Sequence, residues 1–126
     1  MSSTAILKGY NQAPRKMRLL ADLIRGKKID KAMADLEFSN KKGSLAFKKL
    51  INSAVANAKH NEKVSPDDLF VKEVTVNAGI VSKRGMPRAF GRSFLIKKRS
   101  SLIKVVVDAK EAKPEKKAAI KKINKK

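Results

Sequence analysis

The stretch SKRGMPRAFGRSFLIKKRSS, residues 82–101, holds seven cationic side chains and no acid. Lys83, Arg84, Arg88, Arg92, Lys97, Lys98 and Arg99 repel one another at such density unless something anionic lies against them. The chemistry open to them is phosphate neutralisation. Each cation set against a phosphodiester displaces a condensed counterion, so affinity falls with salt at a log–log slope of roughly −0.7 to −0.9 per phosphate. Between residues 84 and 92 every cation is Arg, which suits forked contacts to phosphates and base edges better than Lys does. Gly85 and Gly91 let the backbone approach a partner or take positive φ. Phe90, inside the basic run, is the candidate for stacking on a base. Phe94 is expected instead to begin the buried face of the following strand. A merely solubilising loop would mix acids with its bases, and from Val74 to Val107 there are none.

A second basic cluster surrounds the first helix of the chain. Arg15, Lys16 and Arg18 open it, and Arg25, Lys27 and Lys28 lie around its end. Cations at a helix N-terminus oppose the macrodipole, whereas a phosphate docked there would reverse the argument. A solvated helix face is the plainer reading of the same residues.

Catalytic chemistry has little to work with. His60 is the single histidine and there is no Cys, which excludes His pairs, disulfides and thiolate metal sites. Asp67 and Asp68 are adjacent, and turn chemistry explains them. RGMPRAFGRS has glycines but not the spacing of a phosphate-cradling NTPase loop. No catalytic residue, metal site or cofactor is expected.

The elements that must position the cations follow from pattern. TAILKGY, residues 4–10, reads as a short strand. Pro14 suits the first turn of a helix, in which Met17, Leu20, Ala21 and Ile24 share one face and Gly26 makes the stop. A short second helix fits DKAMADLEF, with Ala32, Met33 and Leu36 inward. Ser39 or Asn40 is the expected cap of a third helix from about Lys41 to Asn61, striped by Phe47, Leu50, Ile51, Ala54 and Ala58. Its small AVANA segment allows close approach and places it at the centre of the packing. After a turn at KVSPDDLF comes a strand, LFVKEVTVN, whose parity is uneven. Leu69 and Val71 fall on one face and Val74 and Val76 on the other, so a bulge or strong twist is required near Lys72 and Glu73 unless both faces are covered. FLIKKRSSLIKVVV, residues 94–107, reads as the last strand. The expectation is an α+β fold: three helices on a small antiparallel sheet, with a long β-hairpin over about 74–107. Ten residues of strand span about 33 Å. A three-helix core in so small a chain cannot cover that length, so part of the hairpin should protrude.

The chain has 126 residues, 31 Lys and Arg against 11 acids, a net charge of +20 and an apolar fraction of 42%. That suits one domain, residues 1–109, and a flexible Lys-rich tail, residues 110–126. The charge speaks for a polyanionic partner, nucleic acid before an anionic membrane surface. A membrane role would leave the basic hairpin unexplained, and no apolar stretch approaches the ~20 residues that span a bilayer. MSSTAILKGYNQ does not read as a signal peptide. The sequence therefore reads as a soluble cytoplasmic protein, with no membrane partner and no homo-oligomer expected.

Three motifs carry a resemblance. KRGMPRAFGRSFLIKKRSSLIKVVV (83–107) resembles the hairpin of the large-ribosomal-subunit protein twenty-two family, with its Lys-Arg, its Pro-Arg-Ala-x-Gly-Arg and its Lys-Arg before a β-branched final strand. PRKMRLLADLIRGK (14–27) and SAVANAKHN (53–61) are similar to the first and third helices of that family, and the match runs in order over about residues 4–108. Leu102 stands where the family usually has His, and Phe90 where Lys is common. The resemblance implies a structural protein at the outside of the large subunit, around the end of the peptide exit tunnel. It implies a hairpin running inward along 23S-type rRNA and a part in subunit assembly. Lys83, Arg84, Gly85, Arg88, Phe90, Gly91 and Arg92 would belong to the tunnel tip. Lys97, Lys98 and Arg99 would follow the rRNA on the returning strand. Large-subunit protein four would be a neighbour, and the nascent peptide a passing contact. A free basic nucleic-acid-binding or nucleoid protein is the alternative.

Overall fold

A computed structural model describes residues 2–109 of the chain. The elements run β1 (Ser2–Tyr10), α1 (Pro14–Ile24), α2 (Ile29–Phe38), α3 (Ser44–Glu62), a 3-10 turn (Pro66–Asp68), β2 (Leu69–Ala78), β3 (Ser82–Pro87), a tip turn (Ala89–Gly91), β4 (Ser93–Lys98) and β5 (Ser101–Ala109). The Lys-rich tail expected from residue 110 lies outside the described residues.

Strands β1, β5 and β2 form an antiparallel sheet in that order, with β5 central. The helices supply the other side of the core. Met17, Leu20 and Ile24 of α1, Ala32 and Leu36 of α2, and Phe47, Ile51, Ala54 and Ala58 of α3 are buried against Val71, Val74, Val76, Ile103, Val105 and Val107. The small residues of α3 let it lie against β1, β5 and α2 at once. Met33 is only partly buried, beside the core rather than in it.

The parity conflict in β2 is resolved by a bulge at the expected place. Val71 pairs with Val107 and Glu73 with Val106, so Lys72 is the extra residue. One inserted residue shifts the period-2 alternation, and Leu69, Val71, Val74 and Val76 all turn inward.

Three expectations need correction. The third helix starts at Ser44, with Gly43 and not Ser39 or Asn40 at its N-cap. Its start is pressed onto α1: a Cβ at residue 43 would lie 2.6 Å from Met17 Sδ. The first strand begins at Ser2, earlier than residue 4, because its pairing with β5 extends to Ser2↔Asp108. The hairpin is not one continuous ribbon, and residues 94–107 are not one strand. The β3–β4 ribbon ends at Ser82↔Lys98, and the main sheet resumes at Ala78↔Ser101. Between them is a joint in which the Gly79 N–H donates to the Ser100 carbonyl at 2.9 Å and Ser100 Oγ donates to the Ile80 carbonyl at 2.6 Å.

Candidate nucleic-acid interface

Beyond the joint, the arm has no core of its own. Every residue from Lys83 to Arg99 is exposed. Six paired residues a side at roughly 3.3 Å each give a ribbon about 20 Å long. Cross-strand pairs share a face, which places Arg84 with Ile96 and Met86 with Phe94 on one side, and Lys83 with Lys97 and Gly85 with Leu95 on the other. Cations and apolar side chains are thus interleaved on a solvated ribbon. Phe94, expected in a buried face, is 56% exposed, because β4 lies past the joint and no helix extends beneath it.

At the tip, the Arg88 N–H donates to the Arg92 carbonyl at 2.8 Å and closes the turn. Phe90 and Gly91 both take positive φ, +60° and +68°. Glycine adopts that region freely, whereas for a phenylalanine it costs roughly 1–2 kcal/mol. The Phe90 ring is 98% exposed, so the fold keeps a strained backbone to present a ring that it does not itself use. Gly85, by contrast, has an ordinary strand backbone with open space around it.

The cluster around α1 divides by use. Strand β2 is an edge strand, and the helix side covers its open edge. The Gly26 N–H donates to the Val71 carbonyl and the Val71 N–H to the Lys27 carbonyl, each at 2.9 Å. Arg25 Nη2 donates to the Val74 carbonyl at 2.8 Å. Arg18 forks onto the Val76 carbonyl, with Nε and Nη2 both at 3.3 Å. Arg25 also pairs with Asp22 at 2.8 Å and Lys27 with Asp35 at 2.5 Å. Arg18, Arg25 and Lys27 are therefore engaged in bonds to the body's own surface, with Arg18 and Arg25 still exposed. Lys28 forms the N-cap of α2 and an isolated bridge to Phe70. Arg15 and Lys16 point to solvent in the first turn of α1.

Lys16 faces a cleft that the arm also lines. This cleft of about 800 Å³ opens where the arm leaves the body, lined on the body side by Gly9, Asn11, Gln12, Ala13, Lys16 and Lys42. Its arm side is Ser82, Arg84, Lys97, Lys98 and Arg99, with Ile80 and Ser100 at the joint. Six cations line it and no acid does. Ser101 Oγ donates to the Gln12 carbonyl at 2.5 Å and holds the β1–α1 loop to the arm's root. The Tyr10 hydroxyl donates to the Lys42 carbonyl at 3.4 Å, which brings the α2–α3 loop to the same mouth. Lys42 is the cation that sequence reasoning missed, since nothing near it in the chain marks it as a neighbour of residues 84–99.

The remaining charge chemistry is structural. Lys48 pairs with Glu37 at 3.4 Å and Lys72 with Asp108 at 2.8 Å, and among the described residues none of these pairs involves an arm side chain. The hydrogen bond between Lys72 and Asp108 raises the Lys72 amine above its ordinary range and lowers the Asp108 carboxyl below its own. His60 is exposed in the last turn of α3, its Nδ1 3.2 Å from Asn61 Oδ1. Among the described residues no cluster of three or more His, Asp or Glu is placed to hold a metal, and no helix is long and apolar enough to cross a membrane.

Comparison with known proteins finds similarity over most of the chain. The family model described as ribosomal protein L22p/L17e matches residues 5–108. The large ribosomal subunit protein uL22 of Herpetosiphon aurantiacus is 48% identical over 108 residues, covering 86% of this chain and 96% of the relative. The uL22 of Acholeplasma laidlawii is 49% identical over 111 residues, 88% of this chain and all of the relative. That of Desulforamulus reducens is 44% identical over 111 residues, 88% and 98% of the two chains. With the matched span running from β1 into the end of β5 and taking in the whole arm, the chain belongs to the ribosomal protein L22p/L17e family.

Proposed function

We propose that this chain binds large-subunit rRNA through its arm and the cleft at the arm's root, and assists assembly of the subunit. The chain is a structural constituent of the large subunit of the cytoplasmic ribosome, and not an enzyme. The observation that carries the binding proposal is the solvated arm itself: residues 83–99 are all exposed and no acid offsets their charge. Such a ribbon is self-repelling alone and becomes favourable between RNA segments, whose phosphates it neutralises. Lys83, Arg84, Arg88, Arg92, Lys97, Lys98 and Arg99 make the arm contacts, Lys16 and Lys42 join them at the root, and Arg15 and Lys28 extend the surface along the helix side. Arg18, Arg25 and Lys27 reach RNA only with what their internal bonds leave free.

The tip (Lys83, Arg84, Gly85, Arg88, Phe90, Gly91 and Arg92) lies in this reading in the wall of the peptide exit tunnel, beside large-subunit protein four and in passing contact with the nascent peptide. Support for that placement is the family resemblance together with a strained turn that presents Phe90 outward. Sedimentation of a cell lysate tests the proposal. Co-migration of the chain with large subunits at high salt is the expected result, and recovery only in the soluble fraction, or with DNA, overturns it.

A further inference from the structure

The arm and the body face each other across the cleft with like charge. Lys16 and Lys42 line one wall; on the other, Arg84 and Lys98 share a ribbon face with Ser82, and Lys97 from the opposite face and Arg99 complete the lining, with no acid between. The mechanical link between the two parts is slight. Neither strand pair continues through the joint, and the bonds that span it are the Gly79–Ser100 and Ser100–Ile80 hydrogen bonds. The arm is well paired within itself and so acts as one unit.

We propose that a run of RNA phosphates seated in this cleft is the latch that fixes the arm's direction relative to the body. The inference rests on the rRNA-binding reading and goes beyond it, assigning the root cleft a role separate from that of the tip. In the free chain the two cationic walls repel and the joint alone opposes them. A phosphodiester between the walls reverses the sign, because each phosphate attracts both. The volume is in the range that encloses ligands of drug size, about 300–1,000 Å³, enough for a short length of backbone. The body wall is built from segments far apart in sequence, the end of β1 through Lys16 of α1 and Lys42 of the α2–α3 loop, which Tyr10 and Ser101 hold in place. One wall is thus fixed and the other hinged, as a latch needs. Binding at the root then orients the arm before or while its tip is engaged.

The chain has no Cys, so Ser53→Cys on α3 and Ser93→Cys on the arm, both exposed positions, give a single spin-label pair. The distance distribution between them is measured by double electron–electron resonance in the full chain, free and with a large-subunit rRNA transcript. Free protein is expected to show a broad distribution that narrows with RNA. In Lys16→Gln/Lys42→Gln the RNA still binds through the arm, several-fold more weakly, and the distribution stays broad. In Arg88→Ala/Arg92→Ala, which removes cations outside the cleft, narrowing persists once the RNA is saturating. A free distribution already as narrow as the bound one overturns the latch, as does full narrowing in Lys16→Gln/Lys42→Gln. Binding without narrowing overturns the latch alone, whereas no binding by the unsubstituted cleft and arm overturns the rRNA reading with it.

Discussion

Arg25 donates from α1 to the carbonyl of Val74 on β2 at 2.8 Å. The bond exists because of the bulge at Lys72. The same one-residue shift that turns Val74 and Val76 inward also turns their carbonyls toward α1, where Arg25 and Arg18 meet them. An edge strand that would otherwise offer unpaired carbonyls is closed by two guanidinium groups.

Arg25→Ala should therefore act on stability before it acts on RNA. Hydrogen bonds to charged groups are worth about 1.5–3 kcal/mol when shielded, and partial exposure of Arg25 reduces this to roughly 1 kcal/mol. Urea unfolding should show a lower midpoint at unchanged m-value, while the salt dependence of RNA binding changes little. Loss of RNA affinity at full stability would place Arg25 in the interface instead.

Gly79→Ala should disturb the joint. A Cβ there would lie 2.5 Å from Ser100 Oγ and 3.3 Å from the Ser100 carbonyl carbon. Rotating the hydroxyl away breaks its bond to Ile80 and leaves the backbone approach tight. Overpacking of this kind costs about 1–3 kcal/mol. Amide exchange should quicken at Gly79–Val81 and Ser100, and a variant with unchanged exchange and midpoint would contradict the close approach.

The Lys72–Asp108 pair gives a pH signature. Asp108 is lowered in the folded state, so its contribution is complete above the unfolded value near 3.9 and is lost as pH falls through the folded value. Lys72 is raised, so its contribution is complete below about 10.4 and is lost as pH rises past the folded value. Asp108→Asn should lower the urea midpoint by a constant amount between about pH 5 and 9. The gap to the unsubstituted chain should close below about pH 4. A gap that persists undiminished at pH 2.5 would contradict the pairing, a threshold set about one unit below the ordinary carboxylate range.

Much of this structure was legible in the residues. The Leu69–Val71 and Val74–Val76 parity break demanded a bulge, and Lys72 is it. The helical face of Met17, Leu20, Ala21 and Ile24 and the stop at Gly26, with its φ of +77°, needed only local rules. The joint was not legible, because residues 79–81 and 99–100 sit between strand-forming runs and their break depends on one close approach across the ribbon. Phe94 was misplaced for the same reason. Its apolar type fits a buried strand, and only the position of the joint shows that no core reaches it. Lys42 was invisible as a site residue because long-range packing through Tyr10, and no spacing in the sequence, brings it to the cleft.

If the arm's cations neutralise RNA phosphates, salt must report it. The most direct test is the affinity for a large-subunit rRNA transcript across a salt series, for the unsubstituted chain and for Arg88→Ala/Arg92→Ala. Removing these two phosphate-binding cations should flatten the log–log slope by about 1.4–1.8, with the urea midpoint unmoved because both side chains lie on the solvated tip. An identical slope in the two proteins would contradict the account.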